Sequence, residues 1–224
     1  MEALSSPDYA AVWIARGGYG LTRILDRLEP ERIARRPVIG FSDVTALFAA
    51  LHPSGLGPLV HGPVLHSLAI TEPGSVEHLL DLLAGREVEP LVGETWVPGV
   101  AEGPIVGGNL ALLAALCGTP WQLDARGCVL AIEEIGEAGY RVDRLLQQLR
   151  SAGALEGVVG IAVGELVDCK VPEGASWTLR DVVMDHIGGL GVPVVGELPF
   201  GHGARNRAFV WGAAAGIGEG RLSV

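Results

Sequence analysis

Two features of the sequence predict an α/β protein of two lobes. Short Val- and Ile-rich runs alternate with segments of helical period along most of the 224 residues, the pattern of βα units and a parallel sheet. That alternation lapses over residues 86–102, where Pro, Gly and alternating Val and Glu replace any helical period. The expected division is an N-terminal parallel-sheet α/β lobe over 1–85, a linker or short β excursion over 86–103, and a C-terminal α/β lobe with a β-rich part over 104–224.

In the first lobe, residues 11–15 read as a strand, 20–28 as a helix, 37–41 as a second strand and 44–51 as a second helix, stopped by His52-Pro53-Ser54-Gly55. A third strand near Leu59-Val60 leads into His61-Gly62-Pro63. Residues 76–83 form a further helix, with Pro73-Gly74-Ser75 supplying turn and cap. Past the linker come a helix over 109–117, a strand over 128–132, and a helix over 140–151 that places Val142, Leu145, Leu146 and Leu149 on one face. A strand over 158–163, a helix over 178–186 and short strands at 193–197, 208–211 and 221–224 complete the chain. The first strand carries Trp13 and no charge, which suits burial on both faces. Something must cover it, and the expected cover is a second copy of the chain, in a homodimer.

Charge narrows the function classes. Lys and Arg number 16 against 26 Asp and Glu, for a formal net charge of −10, and Lys170 is the sole lysine, so neither a nucleic-acid backbone nor an anionic membrane surface is an expected partner. Mean hydropathy is +0.37, but the uncharged stretch over 103–123 is interrupted by Pro104, Gly107, Gly108, Asn109, Gly118 and Pro120. Its unbroken apolar run, Leu110 to Cys117, falls far short of the ~20 residues a spanning helix needs. The acidic N-terminus has no apolar core of a signal peptide, and a cytosolic location is expected. Cys117, Cys128 and Cys169 lack C-x-x-C spacing and read as free thiols of a reducing compartment.

Arg16-Gly17-Gly18-Tyr19-Gly20 follows a strand and opens a helix, where unpaired N–H groups favour an anion or where glycine simply permits close packing. It is no dinucleotide fingerprint, because Arg23 stands where the third glycine belongs, and no Walker pattern occurs. Gly40-Phe41-Ser42-Asp43-Val44 has the outline of a nucleophile elbow with Val44 in place of the final glycine, and equally the outline of a helix N-cap. A serine nucleophile needs a base and a group to orient it. His202, between glycines in a loop, suits the base. His61 and His66 are alternatives, and His186 reads as a helix-end residue. The strand over 128–132 runs into Glu133-Glu134 and then Glu137, candidates for the orienting carboxylate or for ion pairs with Arg141 and Arg144. In an extended strand Glu133 and Glu134 point to opposite faces, so one alone approaches a cleft.

These motifs, together with His61-Gly62-Pro63, Gly107-Gly108-Asn109-Leu110 and Tyr140-Arg141-Val142-Asp143-Arg144, occur in the order seen in LD-carboxypeptidases, which the chain resembles over nearly its whole length. The resemblance implies a two-lobed cytosolic serine peptidase without metal or organic cofactor, removing the terminal D-alanine from muropeptide tetrapeptides during cell-wall recycling. It puts the nucleophile at Ser42, the base at His202 and the orienting carboxylate at Glu133. It gives oxyanion donors from the Asp43 N–H and the Gly17-Gly18 turn, and substrate contacts from Arg16, His61 and Asn109. Microcin-immunity relatives, which hydrolyse peptidyl or aminoacyl nucleotides, offer an alternative substrate class, and a non-catalytic ligand-binding relative offers another. Family members carry a further α/β segment ahead of the Arg-Gly-Gly turn, whereas fifteen residues precede Arg16 here, so a shortened N-terminal lobe is expected.

Overall fold

The computed structural model describes residues 2–224 and has a mixed α/β architecture with two sheets. After helix α1 (Glu2–Ser5), strands β1 (Val12–Trp13), β2 (Val38–Gly40) and β3 (Leu59–His61) pair in parallel, and Val12 faces Val38 while Gly40 faces His61. All three residues of β2 and of β3 are buried, as the apolar runs of a covered parallel sheet require. β1, expected inside a sheet, is instead a margin strand with Val12 and Trp13 half-buried, because it pairs with β2 alone. Trp13 uses its indole N–H on the carbonyl of Pro63, 2.7 Å away.

Between β1 and β2 the expected helix over 20–28 does not form. Two 3₁₀ turns, Leu21–Arg23 and Leu25–Arg27, stand there instead. Gly20 at φ 126° and Ile24 at φ −127° interrupt helical backbone, and of the periodic apolar residues only Leu25 is buried. Helix α2 (Val44–Leu51) follows β2, and nearly every residue of it is buried. Helix α3 (Pro73–Leu83) starts at its proline, three residues earlier than the periodicity indicated, because Pro fits the first helical turn.

The segment expected to be a linker or short β excursion is β structure integral to the second sheet: β4 (Leu91–Val92), β5 (Glu94–Val97) and the start of β6 (Val100–Asn109). Then come α4 (Leu110–Ala115), β7 (Val129–Ile135), α5 (Gly139–Ser151), β8 (Gly160–Val167), α6 (Leu179–Ile187), β9 (Val194–Gly196), β10 (Phe209–Val210), β11 (Ala214–Gly218) and β12 (Arg221–Ser223). The eight-stranded order is β4-β12-β11-β6-β7-β8-β9-β5. Its two ends, β4 and β5, are separated in sequence by Gly93 alone, so the sheet has to curl round until its margins meet. A side chain on Gly93 would sit 2.2 Å from the Gly196 carbonyl, which fixes glycine at that closure. β11 was not expected, since Ala-Ala-Gly-Ile-Gly has little strand propensity; its neighbours β6 and β12 impose the extended form.

β10 does not join this second sheet. It pairs antiparallel with β3, Phe209 facing His61, and completes the order β1-β2-β3-β10. One large apolar core runs through both sheets, from Leu25 and Phe48 to Val129, Phe200 and Leu222. α2 is its hinge-pin, packed on α4 and β6. Gly108 lets that approach happen: its φ is +156°, and a Cβ there would lie 2.6 Å from Thr45 Oγ1.

Phe48 is fully buried and meets Trp211 edge-on at 5.7 Å, tying α2 to the C-terminal segment. Phe48→Ala is expected to lower unfolding free energy by roughly 3–5 kcal/mol. Chemical denaturation measures this; a loss below about 1 kcal/mol would mean that the two sheets do not share this core.

Candidate active site

β2 ends at Gly40, and the chain turns into α2 within three residues. Ser42, at the corner, has φ 64°, a left-handed conformation that costs a non-glycine residue energy and lifts its side chain clear of the sheet. The helix N-cap is Asp43, not Ser42, and it makes no side-chain capping bond. Its carboxylate instead accepts the Leu21 N–H at 3.0 Å, which pins the glycine-rich turn beside the elbow. Gly17 lies so close that a Cβ there would be 3.1 Å from Ser42 Cβ and 3.3 Å from its Oγ. Among the described residues, the N–H groups of Asp43, Gly17 and Gly18 find no intramolecular acceptor, leaving them available to an anion at Ser42.

His202 arrives from the loop joining β9 to β10. Arg207 N–H closes that loop on the Pro199 carbonyl at 2.8 Å, and the Gly201 N–H donates to Asn206 Oδ1 at 3.3 Å. Ser75 Oγ accepts the Asn206 N–H at 3.2 Å, and the Ala204 carbonyl accepts the Glu72 N–H at 2.8 Å, anchoring the loop to the start of α3. Gly201, at φ 121°, packs its Cα against Glu133; a Cβ would lie 3.0 Å from Glu133 Oε2. His202 Nε2 is therefore 3.0 Å from Ser42 Oγ, and Nδ1 is 2.6 Å from Glu133 Oε2. Its ring also leans on Phe41, centroid to centroid 4.7 Å. Burial alone would lower the imidazole pKa, but the Glu133 hydrogen bond and the charges of Glu133 and Glu134 outweigh it, and the net shift is upward.

Glu133 and Glu134 do not divide between a buried and an open face. The pairing of β7 with β8 shifts register between Ile132 and Glu134, and both carboxylates are buried. Glu134 turns to α4: it accepts Asn109 Nδ2 at 3.0 Å, the Ala111 N–H at 2.8 Å and the Ile135 N–H at 2.8 Å. Burial pushes its carboxyl above the usual range despite these donors. Glu137 pairs with Arg141 at 3.1 Å on the surface.

Two residues expected to contact substrate do other work. Asn109 is buried; its Oδ1 caps α4 on the Leu112 N–H at 3.2 Å, and its own N–H donates to Thr45 Oγ1 at 3.1 Å. His61 is fully buried behind Phe41, so its ring presents no surface to the cleft. Arg16 is exposed at the glycine-rich turn. Arg205, near His202 in sequence, is paired with Glu165 at 2.8 Å. Sequence reading missed Asn206 and Ser75, whose roles depend on contacts across 131 residues, and Phe41, whose ring floors both histidines. The three cysteines are free, and burial raises each thiol pKa. Among the described residues, no cluster of three or more His, Cys, Asp or Glu side chains could hold a metal ion, and no helix is long and apolar enough to cross a membrane.

An imidazole held between a hydroxyl and a buried carboxylate is chemically suited to activating that hydroxyl, because Nε2 can accept its proton while the carboxylate fixes the tautomer. Both halves of the chain match known proteins. Residues 1–62 match the model of the LD-carboxypeptidase N-terminal domain and residues 102–217 that of the C-terminal domain. A putative carboxypeptidase of Synechocystis sp. is 41% identical, over 96% of this chain and 72% of its own length. The murein tetrapeptide carboxypeptidase of Pseudomonas aeruginosa is 36% identical, over 99% of this chain and 76% of its own. Among solved structures, muramoyltetrapeptide carboxypeptidase from Oxalobacter formigenes superposes with TM-score 0.88 at 30% identity, over 99% of this chain and 80% of that one. The microcin C7 self-immunity protein MccF in complex with aspartyl sulfamoyl adenosine shares the fold, with TM-score 0.84 at 22% identity, over 100% of this chain and 78% of that one. The chain belongs to the LD-carboxypeptidase family.

Proposed function

We propose that this protein is a cytosolic serine carboxypeptidase that hydrolyses the L,D-peptide bond to the terminal D-alanine of murein tetrapeptides, in cell-wall recycling. The observation that carries the reading is the unbroken contact chain Ser42 Oγ, His202, Glu133, mounted on a strained elbow. Ser42 Oγ attacks the scissile carbonyl and His202 Nε2 takes its proton; Glu133 stabilises the imidazolium. The N–H groups of Asp43 and of the Gly17-Gly18 turn face the developing oxyanion. His202 then protonates the departing D-alanine amine, and water, activated by the same imidazole, releases the acyl group from Ser42. Exposed Arg16, beside the elbow, is the cation placed to meet a substrate carboxylate. The partner is thus a small muropeptide, and no organic cofactor or metal enters the scheme. We further propose that a second copy covers the β1 margin, where Val12 and Trp13 remain half-buried.

Incubation with a murein tetrapeptide is expected to release D-alanine, and with an aminoacyl sulfamoyl adenylate to leave it intact. Cleavage of the adenylate alone would transfer the protein to the microcin-immunity substrate class, and cleavage of neither with measurable binding would make it a non-catalytic relative. Ser42→Ala should keep its fold and lose turnover down to the roughly 10³ to 10⁴-fold acceleration over water that oxyanion and binding effects supply. Activity within about tenfold of the parent would end the serine assignment.

Catalysis needs neutral His202, whose pKa lies above the ordinary value, so kcat/KM should fall as pH drops through a point above about 6.5. The stabilisation gained by charging His202 runs the other way: it is fully present below about 6.5 and lost as pH rises through the folded-state pKa. Glu133→Gln should cost roughly 10⁴-fold in kcat and move the acid limb to lower pH, which a pH–rate profile reads directly. Sedimentation at micromolar concentration checks the assembly, with a dimer expected and a stable monomer opposing it.

A further inference from the structure

One buried titratable group beside this chain of contacts has no part in the scheme above. His61 ends β3, opposite Gly40 on one side and Phe209 on the other. Its ring stacks on Phe209 with centroids 4.5 Å apart and planes 7° from parallel, and the edges of Phe41 and Phe200 close round it at 6.0 Å each. Both of its ring nitrogens are buried without a hydrogen-bond partner, and so is Glu133 Oε1, the carboxylate oxygen that His202 does not use. Phe41 packs on both histidines, and Phe200, which touches His61, precedes the glycine that rests on Glu133. The orphaned atoms therefore cluster at the back of the relay.

An unpaired carboxylate oxygen in an apolar setting is costly, while one N–H delivered to it steadies the whole group. His61 is a suitable donor. Burial pushes its pKa down to about 4 against the opposing charge of Glu133, with His202 adding to the depression. It is neutral at working pH and carries one N–H. No direct hydrogen bond joins His61 to Glu133 Oε1, so a donor from His61 has to act through a water.

We propose that His61 is a positioning residue for Glu133: its neutral imidazole offers an N–H to Oε1 through a single ordered water, so that Oε2 stays aimed at His202. The inference rests on the serine-relay reading given above. It gives His61 no contact with substrate. The charged or titratable groups facing His202 are then Glu133, Glu134 and His61, of which only the two carboxylates carry charge when His61 is neutral.

His61→Phe keeps the ring stack on Phe209 and removes the donor. It is expected to lower kcat roughly ten- to a hundred-fold with KM nearly unchanged, because the imidazole is misaimed rather than the substrate lost. It should also lower the His202 pKa, since a misaimed Glu133 weakens the hydrogen bond that raises it. His61→Gln, which restores an N–H, should recover most of the rate and the parental titration. Parental kcat and an unmoved His202 titration in His61→Phe would overturn the proposal, as would an equal loss in both variants with the titration unmoved. Should His61→Phe fail to fold, the ¹⁵N shifts of His61 in the parent and in Glu133→Gln decide: they are expected to differ, and identical shifts overturn it. These titrations are read on the resting protein. Full activity in Ser42→Ala would instead sink the serine reading while leaving the His61 measurement standing.

Discussion

The hydrogen bond from His202 Nδ1 to Glu133 Oε2, 2.6 Å long, joins positions 69 residues apart and rests on both sheets at once. Glu133 is held on β7 of the curled sheet, opposite Asn109 of β6. His202 is held by a loop whose far end, β10, belongs to the other sheet. Neither sheet alone positions the pair, so the geometry at Ser42 is a property of the assembled core. That dependence explains why the surrounding residues are small: Gly201 permits the loop to touch Glu133, Gly108 permits α2 to touch β6, and Gly17 permits the neighbouring turn to touch Ser42.

The two adjacent glutamates show how one sequence feature is split by environment. Glu133 has one oxygen on His202 and the other buried without a hydrogen-bond partner. Glu134 spends itself on the first turn of α4 and on Asn109, the helix N-cap. One carboxylate therefore holds His202 and the other locks the helix that α2 packs against. The upward pull on the Glu134 carboxyl is the cost of that burial, and three donors offset part of it.

Electrostatics and strain converge on the elbow. Ser42 is held in left-handed backbone, a conformation stable only when the neighbourhood enforces it. Here the enforcement comes from the Asp43 carboxylate on Leu21 N–H and from the burial of α2 directly after the corner. The same bond places the glycine-rich turn, so the nucleophile candidate and the unpaired N–H groups beside it are fixed by one side chain.

By itself the sequence determined the α/β class and put forward Ser42, His202 and the glutamates at 133, 134 and 137 as candidates, because these sit in short local patterns, a strand-to-helix corner, a glycine-flanked loop and a strand end; the resemblance pointed within that set to Ser42, Glu133 and His202. The sequence also determined most buried helices, whose period is local. Where contacts are long-range it fell short. The stretch over 86–102 lacks helical period because its residues are held in strands by partners about a hundred residues away or more, among them β9, β11 and β12. The helix expected over 20–28 gave way to 3₁₀ turns where Gly20 and Ile24 leave helical backbone, and its Leu21 N–H is held by a side chain 22 residues downstream. Whether Ser42 caps a helix or faces a histidine, whether His61 meets substrate or lies behind the relay, and which glutamate reaches His202 are questions of distance. Residues separated by 69 and 160 positions meet only once the core has closed. A local pattern carries propensity and chemistry, but the free energy that selects one contact over another is released only when both sheets bury their shared apolar faces.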